Sequence, residues 1–256
     1  VSAACDRDVE VAPHARVRFR PAGHILGASL VTLTVRDTTI VFTGDLGRPH
    51  DPVMRPPATI ASADYLVVES TYGDRLHEPG DPTQALADVV NRTIARGGKV
   101  VIPSFAVGRA QALLHALACL KATGAVPPAV PVYLDSPMAT DVTALYVRLR
   151  RQHRLSAEQC AAIGRSAHLV TTPAQSRALD LQRLPMVIIA ASGMATGGRV
   201  LHHLRALAGD PRNTILFSGY QASGTRGAAI VSGAPEVKML GQWVPIRAEV
   251  ATLQGL

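Results

Sequence analysis

The sequence predicts an α/β fold. From about Asp81 to Ala208, short apolar runs alternate with polar turns and helix-length stretches, the recurrence expected of a parallel sheet flanked by helices. Helix boundaries in this stretch carry recognisable capping chemistry, most clearly at Asp81-Pro82. Residues from Val17 to Tyr72 carry strand patterns instead, including period-two alternation.

Taken in order, Ala28-Ser29-Leu30-Val31-Thr32-Leu33-Thr34-Val35 alternates, Ile40-Val41-Phe42 is short and apolar, and Tyr65-Leu66-Val67-Val68 reads as a buried strand. Asp81 caps a helix running toward Ala95, with Pro82 at the first helical position, where a missing N–H costs nothing. Gly97-Gly98 ends that helix. The strand Lys99–Ile102 leads to a helix from about Gly108 to Lys121, and Pro131–Leu134 leads to another starting at Ser136-Pro137. Met186–Ala190 leads, through Gly193 and Gly197-Gly198, to a helix ending near Ala208. No internal repeat or low-complexity linker interrupts the chain.

At 256 residues and 47% hydrophobic content the chain can build one large or two ordinary cores. No apolar stretch approaches the roughly 20 residues of a membrane helix, so no membrane partner is expected. Cys5, Cys119 and Cys160 are odd in number and scattered, which argues against a disulfide framework and for a reducing, cytoplasmic setting. The net charge of +7 favours a polyanionic partner, although an arginine-rich composition alone also produces such a value. With 4% aromatic residues, a single-strand binder built mainly on base stacking is disfavoured.

Three segments concentrate the chemistry: Ala22-Gly23-His24-Ile25-Leu26-Gly27-Ala28, Phe42-Thr43-Gly44-Asp45-Leu46-Gly47-Arg48 and Val67-Val68-Glu69-Ser70-Thr71-Tyr72-Gly73. They set a histidine and two carboxylates at the ends of consecutive apolar runs. Imidazole nitrogen and carboxylate oxygen together suit zinc or a similar ion. Simpler roles stand beside these: a loop histidine, an Asp-Leu-Gly turn, a salt-bridged glutamate. Ser192-Gly193-Met194-Ala195-Thr196-Gly197-Gly198 joins a strand to a helix, where backbone amides attract phosphate and glycine lets it approach; a tight turn alone is the other reading. Ser104, Gly108 and Arg109 pose the same question at a second such turn, and Ser136 at a third. All three are expected at the carboxyl edge of the sheet, where open α/β sheets place ligands. His202 and His203 are adjacent on a helix, point in different directions, and are read as surface or packing residues.

In this order the segments resemble the β-CASP subfamily of metallo-β-lactamase-fold nucleases. The likeness continues through Val101-Ile102-Pro103-Ser104-Phe105-Ala106-Val107-Gly108-Arg109-Ala110-Gln111, Tyr133-Leu134-Asp135-Ser136-Pro137, Ala191–Gly198 and Ser218-Gly219-Tyr220-Gln221-Ala222-Ser223-Gly224-Thr225. The resemblance implies a partial metallo-β-lactamase αββα sandwich with an inserted parallel-sheet β-CASP domain. Residues 1–72 would be part of the first domain, 73–218 the insertion, and 219–256 a return to the first. It implies zinc-dependent hydrolysis of RNA phosphodiesters with two Zn2+ ions in the complete enzyme. His24 and Asp45 would be metal ligands, with Asp45 bridging the ions, and Glu69 would orient a catalytic histidine. Arg48, Ser104, Arg109, Ser136, Ser192, Gly193, Gly197 and Gly198 would contact substrate phosphates. Single-stranded RNA is the expected partner, and a homodimer is left open.

Two departures accompany the resemblance. The family's His-x-His-x-Asp-His cluster and its later Ser-Ala-His-like motif do not occur, so the sequence is expected to be an internal piece of a longer enzyme, inactive by itself. After His203 there is no histidine, whereas many family nucleases carry one, often assigned as general acid, in the stretch matching Thr225 to Gly241. A non-catalytic RNA-binding or scaffold member of the family, and a small-molecule metallo-hydrolase, are the alternatives; the long inserted stretch opposes the second.

Overall fold

The computed structural model describes residues 4–74, 76 and 80–255. It divides into two compact units, Val1–Leu76 with Arg148–Ala157, and His77–Val147 with Glu158–Leu256. The α/β class expected from the sequence is the class observed.

The first unit is built on a five-stranded sheet of β1 (Asp8–Ala12), β2 (Ala15–Pro21), β3 (Ser29–Val35), β4 (Thr38–Phe42) and β5 (Tyr65–Val67), ordered as in the sequence. β1 to β4 run antiparallel to their neighbours, and β5 pairs in parallel with β4. The Tyr65–Val68 run, expected to be buried, is more than half exposed at every residue. Among the described residues it occupies the edge of the sheet, paired to β4, and its apolar side chains are uncovered. A second element of this unit is the segment Arg148–Ala157, fixed to the loop after β4. Met54 and His153 form an antiparallel bridge, and the Arg154 amide donates to the Val53 carbonyl at 2.8 Å.

The second unit contains α1 (Pro82–Ala95), β6 (Lys99–Pro103), α2 (Arg109–Thr123), β7 (Val132–Asp135), α3 (Pro137–Arg148), α4 (Ala157–Ser166), β8 (His168–Leu169), α5 (Pro173–Leu181), β9 (Met186–Ala190), α6 (Val200–Leu207) and β10 (Thr214–Phe217). It ends with α7 (Arg226–Val231), the hairpin β11 (Glu236–Met239) and β12 (Gln242–Pro245), and β13 (Glu249–Thr252). The six-stranded sheet is ordered β13-β10-β6-β9-β7-β8 and is parallel throughout. β6 and β9 are buried at every position, which is why they read as continuous apolar runs rather than alternating ones. Asp81 caps α1 as the sequence indicates, accepting from the Thr83 amide at 2.8 Å.

Residues 219–256 pack with the second unit: Val250 and Ala251 pair with Ile215 and Leu216, and Ile230, Val237, Met239 and Val244 enter its core. Glu249 adds salt bridges to Arg92 and Arg96 on and just after α1. Among the described residues, no helix is long and apolar enough to cross a membrane.

Candidate active site and substrate-facing turns

In the first unit, Asp45 follows β4, Glu69 follows β5, and His24 lies in the loop between β2 and β3. Two glycines bring the loops together. The Gly47 amide donates to the Ala22 carbonyl at 2.8 Å, and a Cβ at Gly47 would lie 1.9 Å from the Gly23 carbonyl oxygen. Gly23 itself has φ +74°, and a Cβ there would stand 2.6 Å from the Arg55 carbonyl oxygen. Only residues without side chains permit this approach. It sets His24 Nε2 3.9 Å from Asp45 Oδ2, with both side chains open to solvent.

Glu69 is engaged differently. One carboxylate oxygen accepts from the Leu46 amide at 3.0 Å and the other from the Thr71 amide at 3.2 Å. A hydrogen bond from the Thr71 side chain and then the one from the Leu46 amide, with smaller contributions from the Thr71 amide and His24, outweigh burial and hold its pKa below the usual glutamate range. Glu69 thus ties its own strand end to the residue after Asp45, and it stays ionised beside His24. Arg48, expected at phosphate, pairs with Asp51 at 3.2 Å, which neutralises much of its charge.

Zinc sites use three or four protein ligands. Among the described residues, no three His, Cys, Asp or Glu side chains converge to hold a metal. His24 and Asp45 are two donors, and the Glu69 oxygens already accept backbone hydrogen bonds. The described residues therefore make a partial donor set that does not fit a zinc ion by itself.

In the second unit the parallel strands place their carboxyl ends on one edge, and β6, β9 and β7 are neighbours there. The turns after them bring Ser104, Ser192 and Ser136 to adjacent positions; the Ser104 amide donates to the Ala190 carbonyl at 2.9 Å. Each hydroxyl has a local partner. Ser104 Oγ donates to the Phe105 carbonyl, Ser136 Oγ accepts from the Ala139 amide at the start of α3, and Ser192 Oγ accepts from the Thr196 and Gly197 amides. Ser104 and Ser136 are buried, whereas Ser192 is half-buried.

The glycines also divide. A Cβ at Gly193 would meet the Phe105 ring at 2.7 Å, and one at Gly198, with φ +74°, would stand 2.4 Å from the Ala191 carbonyl oxygen. Gly197 has open space where a side chain would be. Packing thus accounts for two of the three, and Gly197 is the position where a ligand has room. Arg109 opens α2, and its guanidinium lies about 4 Å from where a Cβ on Gly219 would be, beside the carboxyl end of β10.

One cluster escapes the sequence reading. Asp135, at the end of β7, is fully buried; Arg199 donates to its Oδ1, and Ser176 and His203 to its Oδ2, His203 at 2.7 Å. The other ring nitrogen of His203 lies 2.6 Å from Asp180 Oδ1. Burial opposes charge on His203, but the bonds to Asp135 and Asp180 outweigh it and raise the pKa to about 9. The doubly protonated ring donates to both carboxylates. Arg199 also donates to the Val170 and Thr171 carbonyls, so the residue after Gly198 is anchored to the far side of the sheet edge. His202 is exposed, as expected for the neighbour of a buried helical residue. The signal for Asp135 lies inside Tyr133-Leu134-Asp135-Ser136-Pro137, a carboxylate at the end of an apolar strand and next to the serine read as a phosphate contact.

Comparison with known proteins gives a consistent picture. A family described as "Beta-Casp domain" matches residues 110–230. The chain is 41% identical to a protein named Ribonuclease TTHA0252 from Thermus thermophilus, across 93% of this chain and 56% of that protein. It is 33% identical to a transcription termination factor FttA from Pyrococcus abyssi, across 96% of this chain and 40% of the relative. An RNase J-like protein from Methanocaldococcus jannaschii is 33% identical, across 96% and 58%. The chain thus spans about half the length of the curated relatives it matches. Among solved structures, a protein of unknown function from Enterococcus faecalis aligns with TM-score 0.50 at 13% identity, covering 100% of this chain and 55% of that one.

Proposed function

We propose, for a chain that belongs to the β-CASP family of metallo-β-lactamase-fold proteins, that the protein containing it is a metal-dependent ribonuclease. His24 approaches Asp45 to 3.9 Å, held there by two glycines that let their loops touch, and this approach supports the reading. A structural histidine and aspartate have no need of that exposed, preorganised arrangement. Donors of this kind, completed by further ligands in the whole protein, would hold zinc, with His24 and Asp45 as the ligands that this chain supplies. Bound metal would supply a water acidic enough to ionise near neutrality.

The chain's own residues have separate tasks in this reading. Glu69 stays ionised and fixes the Asp45 loop through the Leu46 amide. Gly197 and Arg109 contact the phosphates of single-stranded RNA; Ser104, Ser136 and Ser192, together with Gly193 and Gly198, shape the turns. Three cysteines outside any disulfide fit a reducing, cytoplasmic setting.

A second reading, a non-catalytic RNA-binding member, is favoured by one observation: the stretch through α7 and the β11–β12 hairpin contains no histidine to serve as general acid. Cleavage of single-stranded RNA by the intact protein, with and without added zinc, decides between them. Metal-dependent product formation supports the nuclease; metal-independent binding without cleavage supports the scaffold.

A further inference from the structure

Most arginines of the first unit lie on β2, in the loop after β4, or in the segment Arg148–Ala157, and their surroundings differ. On β2, Arg18 pairs with Asp8 at 2.8 Å, Arg16 with the same carboxylate at 3.8 Å, and Arg20 with Asp6 at 3.3 Å. Arg148, Arg150 and Arg151 are exposed, and no carboxylate pairs with them among the described residues. The segment Arg148–Ala157 holds four arginines and His153, with no Asp or Glu to offset them.

The segment is also held in place. His153 is buried and bridges to Met54, Arg154 reaches the Pro49 carbonyl at 2.8 Å, and Arg55 donates to the His153 carbonyl at 3.3 Å. The loop it grips, Pro49 to Arg55, begins four residues after Asp45. The arginine run is thus anchored by backbone and a buried side chain, while Arg148, Arg150 and Arg151 remain open to solvent. Flexible surface arginines lose entropy on binding; a segment already fixed loses less.

We propose that Arg148, Arg150 and Arg151 form a phosphate-binding rim that receives the backbone of RNA running past the Asp45 loop. This rests on the RNA reading above and adds to it a contact surface that none of the phosphate-facing turns of the second unit provides. Recognition is by charge and guanidinium geometry, so it is indifferent to base sequence.

The test is fluorescence-anisotropy titration of labelled single-stranded RNA with the intact protein, without added metal, across a salt series. Arg150→Glu with Arg151→Glu should weaken binding roughly tenfold, and each lost phosphate contact should flatten the slope of log affinity against log salt by about 0.7. Arg150→Lys with Arg151→Lys should keep most of the slope, because a lysine retains the point charge. Arg16→Glu, an exposed arginine elsewhere on the same unit, should change affinity far less. Equal losses from Arg16→Glu would show that only net charge matters and overturn the rim. Wild-type binding that the double reversal leaves unchanged overturns the rim alone, whereas no RNA binding by the wild type overturns both the rim and the RNA reading. Unchanged thermal unfolding of the double variant confirms that the loss is one of contact.

Discussion

His203 Nε2 lies 2.7 Å from Asp135 Oδ2, with both side chains fully buried, and Asp180 holds the opposite edge of the same ring. A charged histidine between two carboxylates, with Arg199 on the first of them, ties β7, α5 and α6 together beneath the turn that ends in Gly198. Removing one member leaves the others buried and unpaired, which is costlier than the pair is stabilising.

This arrangement predicts a pH dependence. The folded pKa of about 9 lies above the unfolded histidine value near 6.5, so the stabilisation is complete below pH 6.5 and is lost as pH rises through 9. Its size is on the order of 3 kcal/mol. Denaturant unfolding at pH 6 and pH 9.5 should show a loss in the wild type that is largely absent in His203→Gln, itself less stable at pH 6. Parallel pH profiles for the two proteins would rule out a charged His203.

Gly47→Ala tests how the active-site loops are held. The new methyl group would meet the Gly23 carbonyl at 1.9 Å, so backbone must move. A loss of about 2 kcal/mol in stability is expected, with weakened metal binding in the intact protein because His24 and Asp45 separate. A Gly47→Ala variant with unchanged stability and metal affinity would show that the loops do not need their contact.

The chain alone should retain well under two equivalents of zinc after dialysis, since its described residues offer two convergent donors where each ion needs three or four. Elemental analysis gives the count directly. Stoichiometric retention of two ions would mean that other residues complete the sphere.

Arg109→Ala should weaken RNA binding and flatten its salt dependence without abolishing cleavage by the intact protein, because it removes one phosphate contact and no metal ligand. A selective loss of cleavage at unchanged affinity would place Arg109 in the chemistry instead.

Much of this architecture is legible in the sequence because it is local. Asp81-Pro82 marks the start of α1, and the apolar runs at Lys99 and Met186 mark strands buried on both faces. His24 and Asp45 stand out by their positions at strand ends, 21 residues apart. The Asp135–His203 pair does not, because its members are 68 residues apart and each looks ordinary in its own segment. Burial turns them into a unit, and burial is a tertiary property. Glu249–Thr252 carries no local pattern that says which sheet it joins; it pairs with β10, and Val250 packs against the core that Ile230, Val237 and Met239 enter. Tyr65–Val68 shows the converse, an apolar run that indicates a strand without saying whether anything covers it.

Metal-dependent cleavage is tested by the rate at which the intact protein cuts single-stranded RNA in the presence of zinc, with Asp45 and with Asp45→Ala. Cleavage should fall to background in the variant while RNA affinity stays within a few-fold of the wild type. Cleavage at near wild-type rate by Asp45→Ala would contradict it, because the carboxylate assigned to the metals would then have no part in the reaction.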